Sequence, residues 1–178
     1  MATSVHDGLV AGEHVLLIAV DTSQAFDRMV KGRLYEKMEG LGIPPVAVRW
    51  MRAFLTDRQA CVRVGGATSS YHAMEEGCPQ GTVAGPLAWD IFIDDIVPAL
   101  ACAGAEVSLY ADDTAIVLRG RDVDDLYRRG QRTVDGLRKW AVDNGVLITV
   151  GEAGKTSTTH FAPPGEEAPA RPGLRYCK

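Results

Sequence analysis

Short apolar runs that end in carboxylates stand out along this chain. Val15-Leu16-Leu17-Ile18-Ala19-Val20 is apolar on both strand faces and stops at Asp21. Such a run reads as a central β-strand, His14 to Val20, covered on both sides. Farther on, Val107-Ser108-Leu109 and Ala115-Ile116-Val117-Leu118 flank Tyr110-Ala111-Asp112-Asp113. That pattern predicts two strands joined by a tight turn that displays two adjacent carboxylates.

Helical spacing dominates between and after these strands. Residues 31–41 predict a short helix that stops near Gly40 and Gly42. Pro44-Pro45 opens a second helix, with Ala47, Trp50, Met51, Phe54 and Leu55 as its core stripe. Residues 59–64 and 70–75 predict a strand pair around Gly65-Gly66, followed by a turn at 77–81. A long helix is expected over 83–102, with Leu87, Ile91, Ile96 and Leu100 facing the core and Pro98 as a kink or early stop. Asp122 is placed to cap a helix running to about 143, whose stripe is Val123, Leu126, Tyr127, Val134, Leu137, Trp140 and Ala141. Residues 146–150 and 157–161 predict two closing strands. Residues 1–13 read as a flexible lead-in. From Ala162 onward the chain holds four of its nine prolines, so 162–178 reads as a disordered tail. The element order predicts an α+β fold, a mainly antiparallel sheet with helices packed on one face.

Length and composition narrow the class. The 178 residues suffice for one domain with its own core, and 46% hydrophobic content is that of a globular chain. No apolar run approaches the ~20 residues needed to span a bilayer, and no basic segment followed by an apolar core opens the chain. The four cysteines form no CxxC pair, which points away from a zinc site and towards a reducing compartment. A net charge of −4 is unusual for a nucleic-acid binder. Carboxylates reserved for cations soften that objection, as does a local basic cluster of Arg119, Arg121, Arg128, Arg129, Arg132, Arg138 and Lys139. The plainer reading of that cluster is a solvated helix face.

The carboxylates carry the chemistry. Two like charges at a strand tip are costly unless a cation sits between them. An apolar strand ending in Asp21 and a hairpin displaying Asp112 and Asp113 are the parts of an oxygen-rich divalent-metal site, and such a site supports phosphoryl transfer.

The ordered motifs resemble the palm of a reverse transcriptase, the non-LTR (LINE-type) retrotransposon kind above all. Asp21-Thr22-Ser23-Gln24-Ala25-Phe26-Asp27 is similar to that family's D-x-x-K-A-F-D. Phe54-Leu55-Thr56-Asp57-Arg58 with Val62-Arg63-Val64 resembles its connecting segment. Gly77-Cys78-Pro79-Gln80-Gly81, continuing to Leu87, resembles G-x-P-Q-G-S-x-x-S-P-L, and Tyr110-Ala111-Asp112-Asp113 matches its Y-A-D-D box. Trp140, Asn144, Lys155 and Phe161 resemble the later W…N…K-T…F segment. The matches stand in order over 14–161. Gln24 replaces the usual Lys, Gly85-Pro86 replaces Ser-Pro, and the stretch from Asn144 to Lys155 is longer than typical.

The resemblance implies a ferredoxin-like polymerase palm over 14–161, with fingers and thumb largely missing from this chain. It implies an RNA-directed DNA polymerase in which Asp21, Asp112 and Asp113 hold two Mg²⁺ ions, with Mn²⁺ as an alternative. The partners implied are an RNA template, a DNA primer and a deoxynucleoside triphosphate, and no membrane. Phe26 resembles the aromatic that screens the ribose 2′-hydroxyl, against the reading of an ordinary core phenylalanine. Gln80 and Gly81 resemble the segment that contacts the incoming nucleotide, in a turn before a helix where anions are favoured. Tyr110 either flanks the primer end or fills core. Lys155 resembles a general acid for the pyrophosphate leaving group, against the reading of a solvent-exposed lysine. Asp27 reads as a structural cap rather than a further ligand. The rival to an active polymerase is a catalytically inactive remnant or a non-catalytic nucleic-acid-binding piece. Viral RNA polymerases and nucleotide cyclases share the palm but carry G-D-D or G-G-D-E-F boxes.

Overall fold

The computed structural model describes residues 2–100, 104–149, 156–169, 174 and 176. In chain order the elements are α1 (Ala2–Val10), β1 (His14–Ser23), α2 (Ala25–Arg28), α3 (Lys31–Gly40), α4 (Pro45–Leu55), β2 (Gln59–Ala60), β3 (Arg63–Val64), β4 (Ala67–Thr68), β5 (His72–Ala73), α5 (Ala84–Ile93), α6 (Ile96–Leu100), β6 (Glu106–Tyr110), β7 (Asp113–Gly120), α7 (Val123–Asn144), β8 (Leu147–Ile148) and β9 (Ser157–Phe161). They form two compact units, one of residues 1–23 and 94–178, the other of residues 24–93.

The first unit is built on a five-stranded sheet, ordered β6-β7-β1-β8, with β9 also on β1. Every pairing is antiparallel, as expected. β1 is central because its apolar run can be covered: Leu16, Ile18 and Val20 are buried on one face, where Gly130 lets α7 approach the Leu16 side chain. The other face is less covered than the sequence pattern implies. Leu17, Ala19 and Asp21 on it are only half-buried. α7 presents Leu126, Val134, Leu137 and Trp140 to the core, and its Asp122 cap accepts from the amides of Asp124 and Asp125 at 2.8 and 3.1 Å.

One terminal expectation is corrected. Residues 2–10, read as a flexible lead-in, form α1. Gly8 lies against Val15 and the Arg119 side chain with no space for a Cβ, so α1 packs on the face opposite α7. Its stability comes from that packing rather than from a helical pattern strong enough to see in the sequence. In the tail, read as disordered, Pro163 is buried, Glu166 lies 3.1 Å from the His14 ring, and Leu174 lies over Gly130.

The expected long helix over 83–102 is two helices. Pro98 has no amide to give the carbonyl of Asp94, four residues back, so the helix breaks there. Ile96 and Leu100 face the core as expected. Leu87 is exposed and Ile91 half-buried, and Ala88, Trp89, Phe92 and Ile93 take the buried positions of α5.

In the second unit α3 packs on α4 and α5. The buried stripe of α4 is Val48, Met51 and Leu55; Trp50, expected in the core, is 57% exposed. The strand pair around Gly65-Gly66 forms in two short ladders, β3·β4 and β2·β5. Both glycines have positive φ, 54° and 87°, the signature of a type I′ hairpin turn.

Candidate active site

Register places the carboxylates of the first unit. β1 and β7 pair residue by residue from His14↔Gly120 to Asp21↔Asp113. Directly opposed residues in an antiparallel pair point to one face with Cβ atoms about 4.5–5.5 Å apart. Asp21 and Asp113 therefore stand side by side at the sheet tip. Across β7 from them, Tyr110 pairs with Asp113 and closes the turn Ala111-Asp112. Ala111 has φ 53°, the left-handed value that a type II′ turn needs at its first central residue. The box thus puts one carboxylate, Asp112, in the turn and the other, Asp113, at the start of the strand.

The face carrying Asp21 and Asp113 is open. Small side chains (Ala19, Ser108, Ala115) continue it along three strands, and they line a cleft of about 240 Å³ together with Asp21, Tyr110 and Asp113. Tyr110 is 83% exposed, which removes the reading of a core filler. The backbone around Asp21 is fixed on both sides: its amide donates to the Thr156 hydroxyl at 3.0 Å and its carbonyl accepts from the Thr149 amide at 3.1 Å. Among the described residues, no side-chain hydrogen bond or ion pair engages the carboxylates of Asp21, Asp112 or Asp113.

The expected trio is therefore divided: Asp21 and Asp113 are in register, and Asp112 lies in the adjoining turn, outside the cleft lining. Among the described residues no group of three or more His, Cys, Asp or Glu side chains is placed to hold a metal ion. Two facing carboxylates suit a hard divalent cation, which fills its remaining positions with other oxygen ligands.

The second unit holds Phe26, Gln80 and Gly81. The turn at 77–81 is docked on residues 26–29 by main-chain bonds, Gly77 N–H to the Met29 carbonyl and Cys78 N–H to the Phe26 carbonyl, both 2.8 Å. Only glycine fits at 77: φ is 79°, and a Cβ would sit 2.6 Å from the Asp27 carbonyl oxygen. Above this, the Gln80 side-chain amide donates to Asp27 Oδ1 at 3.1 Å. Asp27 is thus a partner of Gln80 rather than a helix cap. Nothing in the sequence signals that pair, whose members lie 53 residues apart.

Phe26 is half-buried, its ring packed on the fully buried Trp89 ring at 5.5 Å. At the start of α5, the Thr82 hydroxyl accepts from the Gly85 amide at 3.2 Å. Burial, and then the Asp27 charge, push the Cys78 thiol above its ordinary range, so it is a packed side chain and not a nucleophile. Lys155 lies outside the described residues.

The sequence pattern also missed a half-buried hydrogen-bonded chain in the first unit. Tyr127, His160, His14 and Glu166 form a chain with spacings of 3.3, 3.1 and 3.1 Å. Its signal was only two isolated histidines.

Comparison with known proteins gives the family and the fold. A profile of the family described as reverse transcriptase (RNA-dependent DNA polymerase) matches residues 4–160. The RNA-directed DNA polymerase from mobile element jockey of Drosophila funebris is 30% identical over 146 residues, covering 79% of this chain and 16% of that protein. A putative 115 kDa protein in the type-1 retrotransposable element R1DM of Drosophila melanogaster is 26% identical over 178 residues, 95% of this chain and 17% of that protein. This chain thus spans about a sixth of the length of these relatives. Among solved structures, telomerase from Candida albicans, in complex with a fragment of telomeric RNA, superposes with a TM-score of 0.66 at 13% identity, over 97% of this chain and 31% of that one. At that identity the likeness speaks to fold alone, and the fold is the polymerase palm. By its motifs, profile and relatives, the chain belongs to the reverse transcriptase family, on the branch of the non-LTR mobile elements.

Proposed function

We propose that this chain is the catalytic palm of an RNA-directed DNA polymerase, joining a deoxynucleoside triphosphate to the 3′-hydroxyl of a DNA primer on an RNA template. The observation that carries this reading is the cross-strand pair Asp21–Asp113, unneutralised, at the mouth of an open cleft with Asp112 in the next turn. Placing two acids side by side costs stability in the free protein. A fold that keeps them there has a use for a concentrated negative charge.

Asp21, Asp112 and Asp113 are the residues assigned to hold two Mg²⁺ ions. Bound divalent ions stabilise the negative charge on the attacking and leaving oxygens of an in-line phosphoryl transfer. The rest falls to the chain's own groups. The rigid β1·β7 ladder fixes where the carboxylates point, which is the positioning part of catalysis. Tyr110, on the same face as Asp113, supplies an exposed ring beside the cleft for the primer end. Phe26 is assigned to exclude a ribose 2′-hydroxyl, and its packing on Trp89 holds its ring in place. Gln80 and Gly81 are assigned to the incoming nucleotide, and Lys155 to protonating the leaving pyrophosphate.

Primer extension on an RNA template with Mg²⁺ tests this reading, with Asp112→Ala as control. Extension by the wild-type chain, or by a longer polypeptide of the same element containing it, that is lost in the variant supports it. Extension by neither favours the inactive remnant.

A further inference from the structure

The exposed row on α4 has no role in the catalytic reading. Val46, Trp50 and Phe54 lie four residues apart on α4 and so share one helix face, and Arg58 follows in the loop beyond the helix end at Leu55. Val46 is 64% and Trp50 57% exposed. The Trp50 and Phe54 rings are parallel, 2° apart in plane, with centroids 5.5 Å apart, and the Arg58 guanidinium lies 5.3 Å from the Phe54 ring. An exposed indole stacked on a half-buried ring needs an explanation.

Charge indicates what they meet. From Ile43 to Arg63 the chain carries Arg49, Arg52, Arg58 and Arg63 against the single acid Asp57, in a protein whose net charge is −4. Among the described residues none of these arginines has a carboxylate within ion-pair distance. The other basic region of the sequence behaves differently: Arg119 pairs with Glu106, Arg128 and Arg129 with Asp125, and Lys139 with Asp143. Arg121, Arg132 and Arg138 of that region have no such pair among the described residues, so it is neutralised in part. Where contacts of Arg52, Arg58 and Arg63 are described, they meet a ring, a carbonyl or a hydroxyl rather than a carboxylate.

We propose that the α4 face is a binding track for single-stranded RNA, with a base stacked on Trp50 and the backbone phosphates on Arg49 and Arg58. Stacking of bases on exposed rings between cationic side chains is the general mode of single-strand recognition. Double-stranded nucleic acid fits poorly, because its bases cannot reach an indole. The choice of RNA over DNA rests on the polymerase reading above, in which the long single strand is the RNA template.

The experiment uses intrinsic fluorescence of the whole chain, titrated with oligouridylate. Of the three tryptophans, Trp89 and Trp140 are buried, so an added strand reaches only Trp50. Saturable quenching is expected, abolished in Trp50→Ala, whose affinity by filter binding falls about tenfold. Arg49→Gln and Arg58→Gln should each reduce the salt slope of log K by about 0.7. Trp50 is exposed, so its variant should fold; Arg49→Gln is the second check. The proposal is overturned if all three variants bind oligouridylate like wild type. It is equally overturned if Trp50→Ala alters only the association state of the chain, which marks a protein contact, or if oligodeoxyuridylate binds more than tenfold tighter. Asp112→Asn separates the two readings. Binding that depends on Trp50, with no primer extension by this chain or by a longer polypeptide of the same element containing it, defeats the polymerase reading alone, and extension with binding indifferent to Trp50 defeats the track alone.

Discussion

Asp21 and Gln80 are both held in place, but by different kinds of backbone. Asp21 lies two residues from the end of a ten-residue strand, so its position follows from a register that eight successive pairs with β7 enforce. Slipping that register by one residue would turn Leu16, Ile18 and Val20 out of the core. Gln80 sits on a loop with no ladder. Two main-chain bonds, one glycine without room for a methyl and one side-chain hydrogen bond fix it. The strand end is over-determined and tolerates a changed side chain; the loop is determined just enough and does not.

The largest effect should come where the scaffold is strongest. Asp113→Asn keeps the shape of the side chain and removes one charge of the facing pair. Primer extension should fall by about 10³-fold or more, several kcal/mol of charge stabilisation. The melting temperature should stay level or rise, because a repulsion between neighbours is lifted. A variant that loses activity and also melts several degrees lower would mean that Asp113 serves the fold, and the contrast drawn above would fail.

Two glycines of the loop sharpen the other half. Gly77→Ala combines a left-handed φ of 79° with a Cβ that meets the Asp27 carbonyl at 2.6 Å. Gly81→Ala has nearly the same φ, 77°, and nothing within 4 Å. The left-handed conformation costs about 1–2 kcal/mol in either case. Only Gly77→Ala adds a backbone clash, so urea midpoints should place it ~1–3 kcal/mol below Gly81→Ala. Equal losses would show that the loop is free to move off residues 26–29.

Asp27→Ala tests the side-chain tether at a smaller scale. Losing one exposed hydrogen bond costs stability about 0.5–1.5 kcal/mol at most. The informative readout is kinetic: KM for the nucleotide should rise several-fold with kcat little changed, and Asp27→Asn, which keeps the acceptor oxygen, should restore it. A fall in kcat that Asn does not rescue would point to a role for the charge itself.

Sequence legibility followed the same divide. The strand ending in Asp21, the hairpin around Asp112, the Asp122 cap and the Gly65-Gly66 turn were all readable, because each is a local rule written in adjacent residues. What escaped depended on distant partners. α1 exists because Gly8 fits against Val15 and Arg119. Asp27 was misassigned because its partner is 53 residues away. Helical spacing assigns Trp50 to the core stripe without saying how wide the buried sector is, and in α4 that sector stops at Val48, Met51 and Leu55. The basic cluster near α7 was conspicuous in sequence, yet only coordinates reveal which of its charges are already paired.

The smallest effect concerns α1. Glu106 on β6 accepts from the Ser4 hydroxyl of α1 and pairs with Arg119 of β7 at 2.8 Å. The Ser4 bond, with help from Arg119 and against the effect of burial, holds its carboxyl below the ordinary value of 4.5. A carboxyl depressed in the folded state stabilises the fold at pH above 4.5, and that contribution disappears as pH falls through the depressed value. With both side chains partly exposed, 45% for Glu106 and 34% for Arg119, solvent screens the pair to below about 1 kcal/mol. Glu106→Gln should therefore lower stability slightly at neutral pH, with the difference closing in acid and shrinking in ~1 M salt. Amide exchange of residues 2–10 should speed up in the same variant. If the difference persists in acid, the electrostatic tie is irrelevant, and the close packing of Gly8 alone keeps α1 on the sheet.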